Sequence, residues 1–176
     1  MAGLTEDCLS ERLRALGIDD NTRHNLSLFR PHLIGAIDAV VAEFYDHFQR
    51  IPSARVHFAS PRLSLLKQRQ RAHWLEMSEA RFDATYAANA IRLGEAHFNS
   101  RVPPRLYLAG QSFFQCSIIA LAAKRIGPGR DLPSVLASIA RVIALDVDLA
   151  MSAYTRAFWS RPPREQEAAS EQNVWL

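Results

Sequence analysis

Cysteine is almost missing from this chain. Cys8 and Cys116 are the only two in 176 residues, far apart and outside any CxxC pattern, which disfavours a zinc ribbon. Together with the lack of a signal peptide, this scarcity points to a reduced, cytoplasmic setting. Cys116 sits in an apolar stretch and is expected as a small buried filler. No apolar run approaches the roughly 20 residues that cross a bilayer, so no membrane partner is expected. Charge of one sign is not in excess: 21 Lys and Arg stand against 18 Asp and Glu, a formal net charge of +3. The arginines are scattered, with Lys67, Arg69 and Arg71 the densest group and no aromatic ladder beside them, so no nucleic-acid partner is expected either. Convincing period-two alternation is absent, which argues against strands. Neither HExxH nor ExxH spacing occurs, so nothing supports a metal site built from protein ligands alone.

What is present is helical periodicity, in a chain of 48% hydrophobic residues that suffices for one domain with a real core. The expected fold class is all-α. A first helix runs from about Thr5 to Leu16 and stops at Gly17. Asp20 can cap a second, from about Asn21 to Phe29. Pro31 suits the first turn of a third, running to about Arg50, with Leu33, Ile37, Val40, Val41, Phe44, Tyr45 and Phe48 as its inward set. Pro52 breaks that helix, and Ser53 to Phe58 reads as one short turn. Ser60-Pro61, a cap followed by proline, starts a helix to about Met77. Asp83 interrupts the next segment, which continues to about Asn99. Pro103-Pro104 opens a long apolar helix to about Lys124, and Gly127-Pro128-Gly129 is a turn. The last helix begins near Leu132 and ends before Pro162-Pro163.

These last two helices are apolar on more than one face. Leu106, Gly110, Phe113, Phe114, Ser117, Ile118 and Leu121 mark the first; Val135, Leu136, Ile139, Val142, Ile143, Leu149 and Tyr154 mark the second. One small core does not need that much apolar surface, and a homodimer joined through both helices would bury the surplus. Ordinary core with an unpaired end is the alternative. After Pro163 the composition turns polar. Residues 1–161 are therefore read as the domain and 162–176 as a tail or linker, toward a module outside this chain.

Of the six histidines, His24, His32 and His47 are expected at the surface. His57, in the short turn, reaches either a ligand's edge or solvent, and His73 precedes Trp74 on a helix rich in Arg and Gln. His97 differs. Tyr86, Ala90, Leu93 and His97 form one helical stripe. Gly94 lies one turn earlier, where a flat ligand could approach the backbone without meeting a Cβ. A histidine on an apolar face can equally be a satisfied core residue, and the pattern leaves both readings open. A cofactor that brings its own four nitrogens needs only one histidine, so haem suits a chain this poor in ligand clusters.

Three stretches carry a resemblance: Ala42-Glu-Phe-Tyr-Asp-His-Phe48; Leu66 to Trp74; and Arg92-Leu-Gly-Glu-Ala-His97 followed by Pro104-Arg-Leu-Tyr107, close to the pattern IGxxH…LxPxWY. Through them the chain, over about Asp19 to Phe158, resembles the globin domain of bacterial globin-coupled sensors. The resemblance implies a globin fold, a 3-over-3 helical sandwich lacking a separate D helix and carrying an extra N-terminal helix. It implies haem b (no CxxCH attachment motif is present) with His97 as the metal ligand. The other residues it assigns to the cofactor are Tyr45, Phe44, Phe58, Leu66, Lys67, Gln70, Leu93, Gly94 and Tyr107. Departures are Leu93 for isoleucine, Leu106 for tryptophan, Arg101-Val102 for Gly-Leu, and Lys67 and Gln70 where the family has leucine and a small or hydroxylic residue.

On that basis the second ring nitrogen of His97 is expected to donate to a carbonyl. Leu93 and Gly94 are expected as an apolar floor, with Phe44 and Phe58 covering the other side and Phe48 left to the core. Tyr45 is the expected distal donor to a polar gas, with Gln70 as a second. Lys67 either reaches a haem propionate or is simply solvated. The implied function is non-enzymatic O2 sensing, with CO and NO as further ligands and the signal passed through the homodimer to an output module. Two alternatives stand beside it: a single-domain globin for O2 storage or NO and peroxide chemistry, and a haem-free helical dimerisation module.

Overall fold

The computed structural model describes residues 6–58, 63–129 and 131–159, with side chains placed from residue 8 to residue 155 of those spans. Eight helices fill them: α1 (Glu6–Ala15), α2 (Asp20–Ile34), α3 (Ile37–Gln49), α4 (Pro52–Phe58), α5 (Leu63–Ser78), α6 (Ala84–Asn99), α7 (Pro104–Ile126) and α8 (Asp131–Trp159).

Local chemistry sets most boundaries. Gly17, at φ +64°, takes the left-handed conformation that stops α1. Asp19, not Asp20, caps α2: its carboxylate accepts the Thr22 N–H at 2.8 Å in a reciprocal capping box. Pro31 does not open the third helix as expected; it lies inside α2. Burial of Leu26, Phe29 and Leu33 on one face outweighs the lost N–H, and the break comes at Gly35 and Ala36 instead. Asp83 caps α6 by accepting the Tyr86 N–H at 2.9 Å. Pro103 is extended (φ −63°, ψ 145°), so Pro104 enters the first turn of α7. The Ser60-Pro61 start and the boundary at 161/162 lie outside the described residues.

α2, α5 and α6 form one layer over α3, α7 and α8, the 3-over-3 globin arrangement. α1 is the extra leading helix, and α4 is the one short helix between α3 and α5 among the described residues. Phe29, Leu33, Ile37, Trp74, Phe114, Ile118, Ile139 and Leu149 are buried between the layers. The inward set expected for the third helix is buried throughout, although Leu33 belongs to α2.

Two expectations about α7 fail. Cys116 is exposed rather than buried. By length and composition α7 is also apolar enough to cross a membrane. Its inward residues Tyr107, Gly110, Phe114, Ile118 and Ala122 pack as core, while Leu108 remains exposed. A helix apolar almost all round gives the sequence no signal of which face turns in.

Candidate functional site

A cavity of about 250 Å3 opens between α5 and α6, closed by α3, α4 and α7. Of the residues assigned to a cofactor from sequence, Phe44, Tyr45, Phe58, Leu66, Gln70, Leu93, His97 and Tyr107 line it. His97 sits one turn beyond Leu93 on α6. Its Nδ1–H donates to the Leu93 carbonyl at 2.8 Å, which fixes the tautomer and leaves Nε2 as the free lone pair. The ring meets Tyr107 edge-on, with centroids 5.2 Å apart. Burial lowers the His97 pKa, and the Leu93 hydrogen bond only partly opposes this, so the imidazole is neutral and able to ligate.

Tyr45, on α3, lines the same cavity. Burial pushes its pKa up to about 12, so the phenol keeps its proton as a donor. Phe58 packs edge-on against Tyr45 at 5.5 Å and against Phe44 at 5.6 Å. Phe48 is core, as expected. Lys67 does not line the cavity; its Nζ lies 5.5 Å from the Tyr45 ring centroid. His57, half-buried on α4, lines the cavity together with Arg69.

Gly94 is a correction. It does not line the cavity, and the space of its missing Cβ is filled by α8: an added Cβ would lie 2.2 Å from the Ala150 carbonyl oxygen. Glycine is required here for two helices to cross backbone on backbone, not for a ligand's approach.

The sequence reading missed a buried polar cluster behind the cavity. Asp146, fully buried on α8, accepts from the Tyr86 hydroxyl at 3.1 Å and from His73 Nε2 at 3.1 Å. Gln111 Nε2 donates to the Tyr107 hydroxyl at 2.8 Å and reaches Asp146 at 3.4 Å. One carboxylate thus ties α5, α6, α7 and α8 together, and His73, Gln111 and Tyr107 each also line the cavity. Burial alone would lower the His73 pKa, but the adjacent Asp146 carboxylate outweighs it and raises the value. Burial, then the same carboxylate, holds Tyr86 and Tyr107 far above the ordinary phenol value. A signal was available: Asp146 falls on the apolar α8 stripe of Ile139, Val142, Ile143 and Leu149, and a carboxylate there needs buried donors.

These residues fit a haem. Among the histidines on the cavity wall, His73 is held by Asp146 and His97 offers a neutral imidazole with a locked tautomer, while much of the remaining wall is aromatic and aliphatic. Among the described residues no group of three or more His, Cys, Asp or Glu forms a metal site by itself.

Comparison with known proteins agrees with the fold. The chain is 25% identical over 180 aligned positions to the haem-based aerotactic transducer HemAT of Halobacterium salinarum. That alignment covers 96% of this chain but 37% of that protein, so the chain spans little more than a third of the relative's length. It superposes on the globin domain of the Geobacter sulfurreducens globin-coupled sensor with a TM-score of 0.78 at 14% identity, covering 82% of this chain and 96% of that one. The family model described as Protoglobin matches residues 5–160, nearly the whole chain. An all-helical sandwich of this order, matched over that length, belongs to the Protoglobin family.

Proposed function

We propose that this chain is a gas-sensing globin domain that holds haem b through His97 and binds O2, with CO and NO as further ligands. The observation that carries this reading is His97 itself, with Nδ1 committed to Leu93 and Nε2 left free in a cavity that Tyr45 also lines. Haem, when bound, supplies the reversible coordination of a diatomic gas. The protein supplies the rest. His97 Nε2 would hold the haem iron. Leu66, Leu93, Phe44 and Phe58 exclude water from the macrocycle, and Tyr107 packs on the His97 ring. His57 and Arg69 line the cavity and, with Lys67 beside Tyr45, offer positive charge to the propionates.

Tyr45 donates its O–H to a polar gas, and the Gln70 amide is a second donor. Such a hydrogen bond would be worth about 1–3 kcal/mol to a polar gas, or roughly five- to a hundredfold. Tyr45→Phe is therefore expected to speed O2 dissociation by that factor, with a smaller effect on the less polar CO. Stopped-flow dissociation of both gases reads this, and an unchanged O2 rate contradicts the assignment.

Pairing through α7 and α8 belongs to the same reading. A groove between these helices, lined by Leu108, Ser112, Ala140, Ala144, Val147 and Met151, faces outward. A second copy seated there would cover it and the exposed Leu108, forming a four-helix bundle. Sedimentation equilibrium is expected to give a dimer, and a monomer across the micromolar range contradicts this part. Residues 1–161 form the sensor domain on this reading, and 162–176 lead toward an output module. The domain acts by binding rather than by catalysis.

A further inference from the structure

Tyr86 is a buried phenol that gas binding does not use. It lies on α6, is 4% exposed and does not line the cavity. Its hydroxyl donates to Oδ1 of Asp146 at 3.1 Å, while Oδ2 of the same carboxylate meets His73 Nε2 at 3.1 Å. His73 lines the cavity, so the Tyr86 hydroxyl stands two hydrogen bonds from its wall. A second path of this kind runs from Asp146 through Gln111 to Tyr107, whose ring meets that of His97 at 5.2 Å.

Taking an electron from a phenol turns its O–H into a strong acid. Oxidation is therefore easy only where a base already accepts that hydrogen bond. The four tyrosines differ in this respect. Tyr154 donates to the Val102 carbonyl, an amide oxygen of little basicity. The Tyr107 hydroxyl receives a hydrogen bond from Gln111. Tyr45 has no acceptor among the described residues. Trp74, fully buried, has an indole N–H with no partner among them. Tyr86 donates to a carboxylate that is itself fully buried, where water does not compete for the hydrogen bond.

We propose that Tyr86 is a redox-active site that yields one electron to haem oxidised by hydrogen peroxide and its proton to Asp146. The inference rests on the haem binding proposed above. In the step, the peroxide O–O bond breaks and both oxygens become water. They take two protons from solvent, one electron from the ferric haem iron and one from Tyr86. The Tyr86 O–H bond breaks as an O–H bond forms on Asp146 Oδ1, which leaves a neutral phenoxyl radical. A one-electron reductant such as ascorbate returns the electron, and Asp146 returns the proton. Oxidising equivalents thus leave the porphyrin instead of destroying it.

The test loads the full chain with hemin, adds hydrogen peroxide and freezes the mixture for electron paramagnetic resonance. Hemin uptake is read first, from the Soret band. Wild type that leaves hemin free overturns the proposed function, and this inference with it. Loaded wild type is expected to give a tyrosyl signal that narrows when the chain carries ring-deuterated tyrosine and that ascorbate removes. Tyr86→Phe, which keeps the ring, is expected to lose that signal and to have its Soret band bleached faster by peroxide. Asp146→Asn, which keeps the shape but not the basicity, is expected to lose the signal too. No tyrosyl signal in loaded wild type, or a signal of wild-type size in either variant, overturns the proposal and leaves haem binding standing. Electron–nuclear double resonance on wild type needs no variant. It is expected to show an exchangeable proton hydrogen-bonded to the radical oxygen, the one now held by Asp146. Absence of that proton overturns the proposal even where neither variant folds.

Discussion

Asp146→Ala is expected to lower folding stability by about 3–5 kcal/mol, the usual cost of removing one partner from a buried pair. The carboxylate holds three donors on three other helices, and its loss strands the His73 imidazole and the Tyr86 hydroxyl without partners. Urea unfolding followed by circular dichroism measures the loss, and a change under about 1 kcal/mol would show that the cluster does not tie the helices together. The pH dependence has a definite sign. The folded His73 pKa is raised above its unfolded value, with Asp146 and more weakly Glu76 overcoming burial. Its contribution is therefore fully present below about pH 6.5 and is lost as pH rises through the folded value. The stability difference between wild type and Asp146→Asn should accordingly shrink as pH rises from about 6 to 9. A gap that widens over that window contradicts a raised His73 pKa.

The second large effect is expected at Gly94. In an ordinary helix Gly→Ala stabilises by up to about 1 kcal/mol. Here the new Cβ would lie 2.2 Å from the Ala150 carbonyl oxygen and 2.8 Å from its Cα and carbonyl carbon. Backbone cannot rotate aside as a side chain does, so α6 and α8 must separate. Gly94→Ala is expected to cost about 1–3 kcal/mol or more, reversing the intrinsic sign. Gly110 makes the useful contrast, because a Cβ there meets only the edge of the Phe44 ring at 3.3 Å, which can shift. A Gly94→Ala protein as stable as wild type would restore the reading of Gly94 as a ligand-facing residue.

Both sites show what a linear sequence reveals and what it hides. Helices with local signals were legible: Gly17, Asp83 and Pro103 each act within one turn of the boundary they set. Pro31 misled because its penalty is local, whereas the apolar face that carries α2 past it is spread over three turns. The stripe ending at His97, the resemblance around it and the Phe44-Tyr45 pair led to residues that do line one cavity. Gly94 did not, because close approach by a ligand and close approach by a helix demand the same missing Cβ. The Asp146 cluster joins residues 35 to 73 positions apart, which no short pattern can encode. Only the misfit of a carboxylate within an apolar stripe hinted at it. Tyr154 was read as part of an apolar face, and its hydroxyl bond to the Val102 carbonyl becomes visible only in three dimensions.

The central claim is that His97 Nε2 ligates haem iron. Titrating the purified wild-type chain and His97→Ala with hemin, and following the Soret band, tests it most directly. Wild type is expected to bind one equivalent and give a sharp Soret band that shifts on reduction and again on adding CO. His97→Ala is expected to lose that band or to give the spectrum of an altered axial ligand, with added imidazole restoring the wild-type form. A wild-type chain that leaves hemin free, or a His97→Ala chain with an unchanged spectrum, contradicts the account.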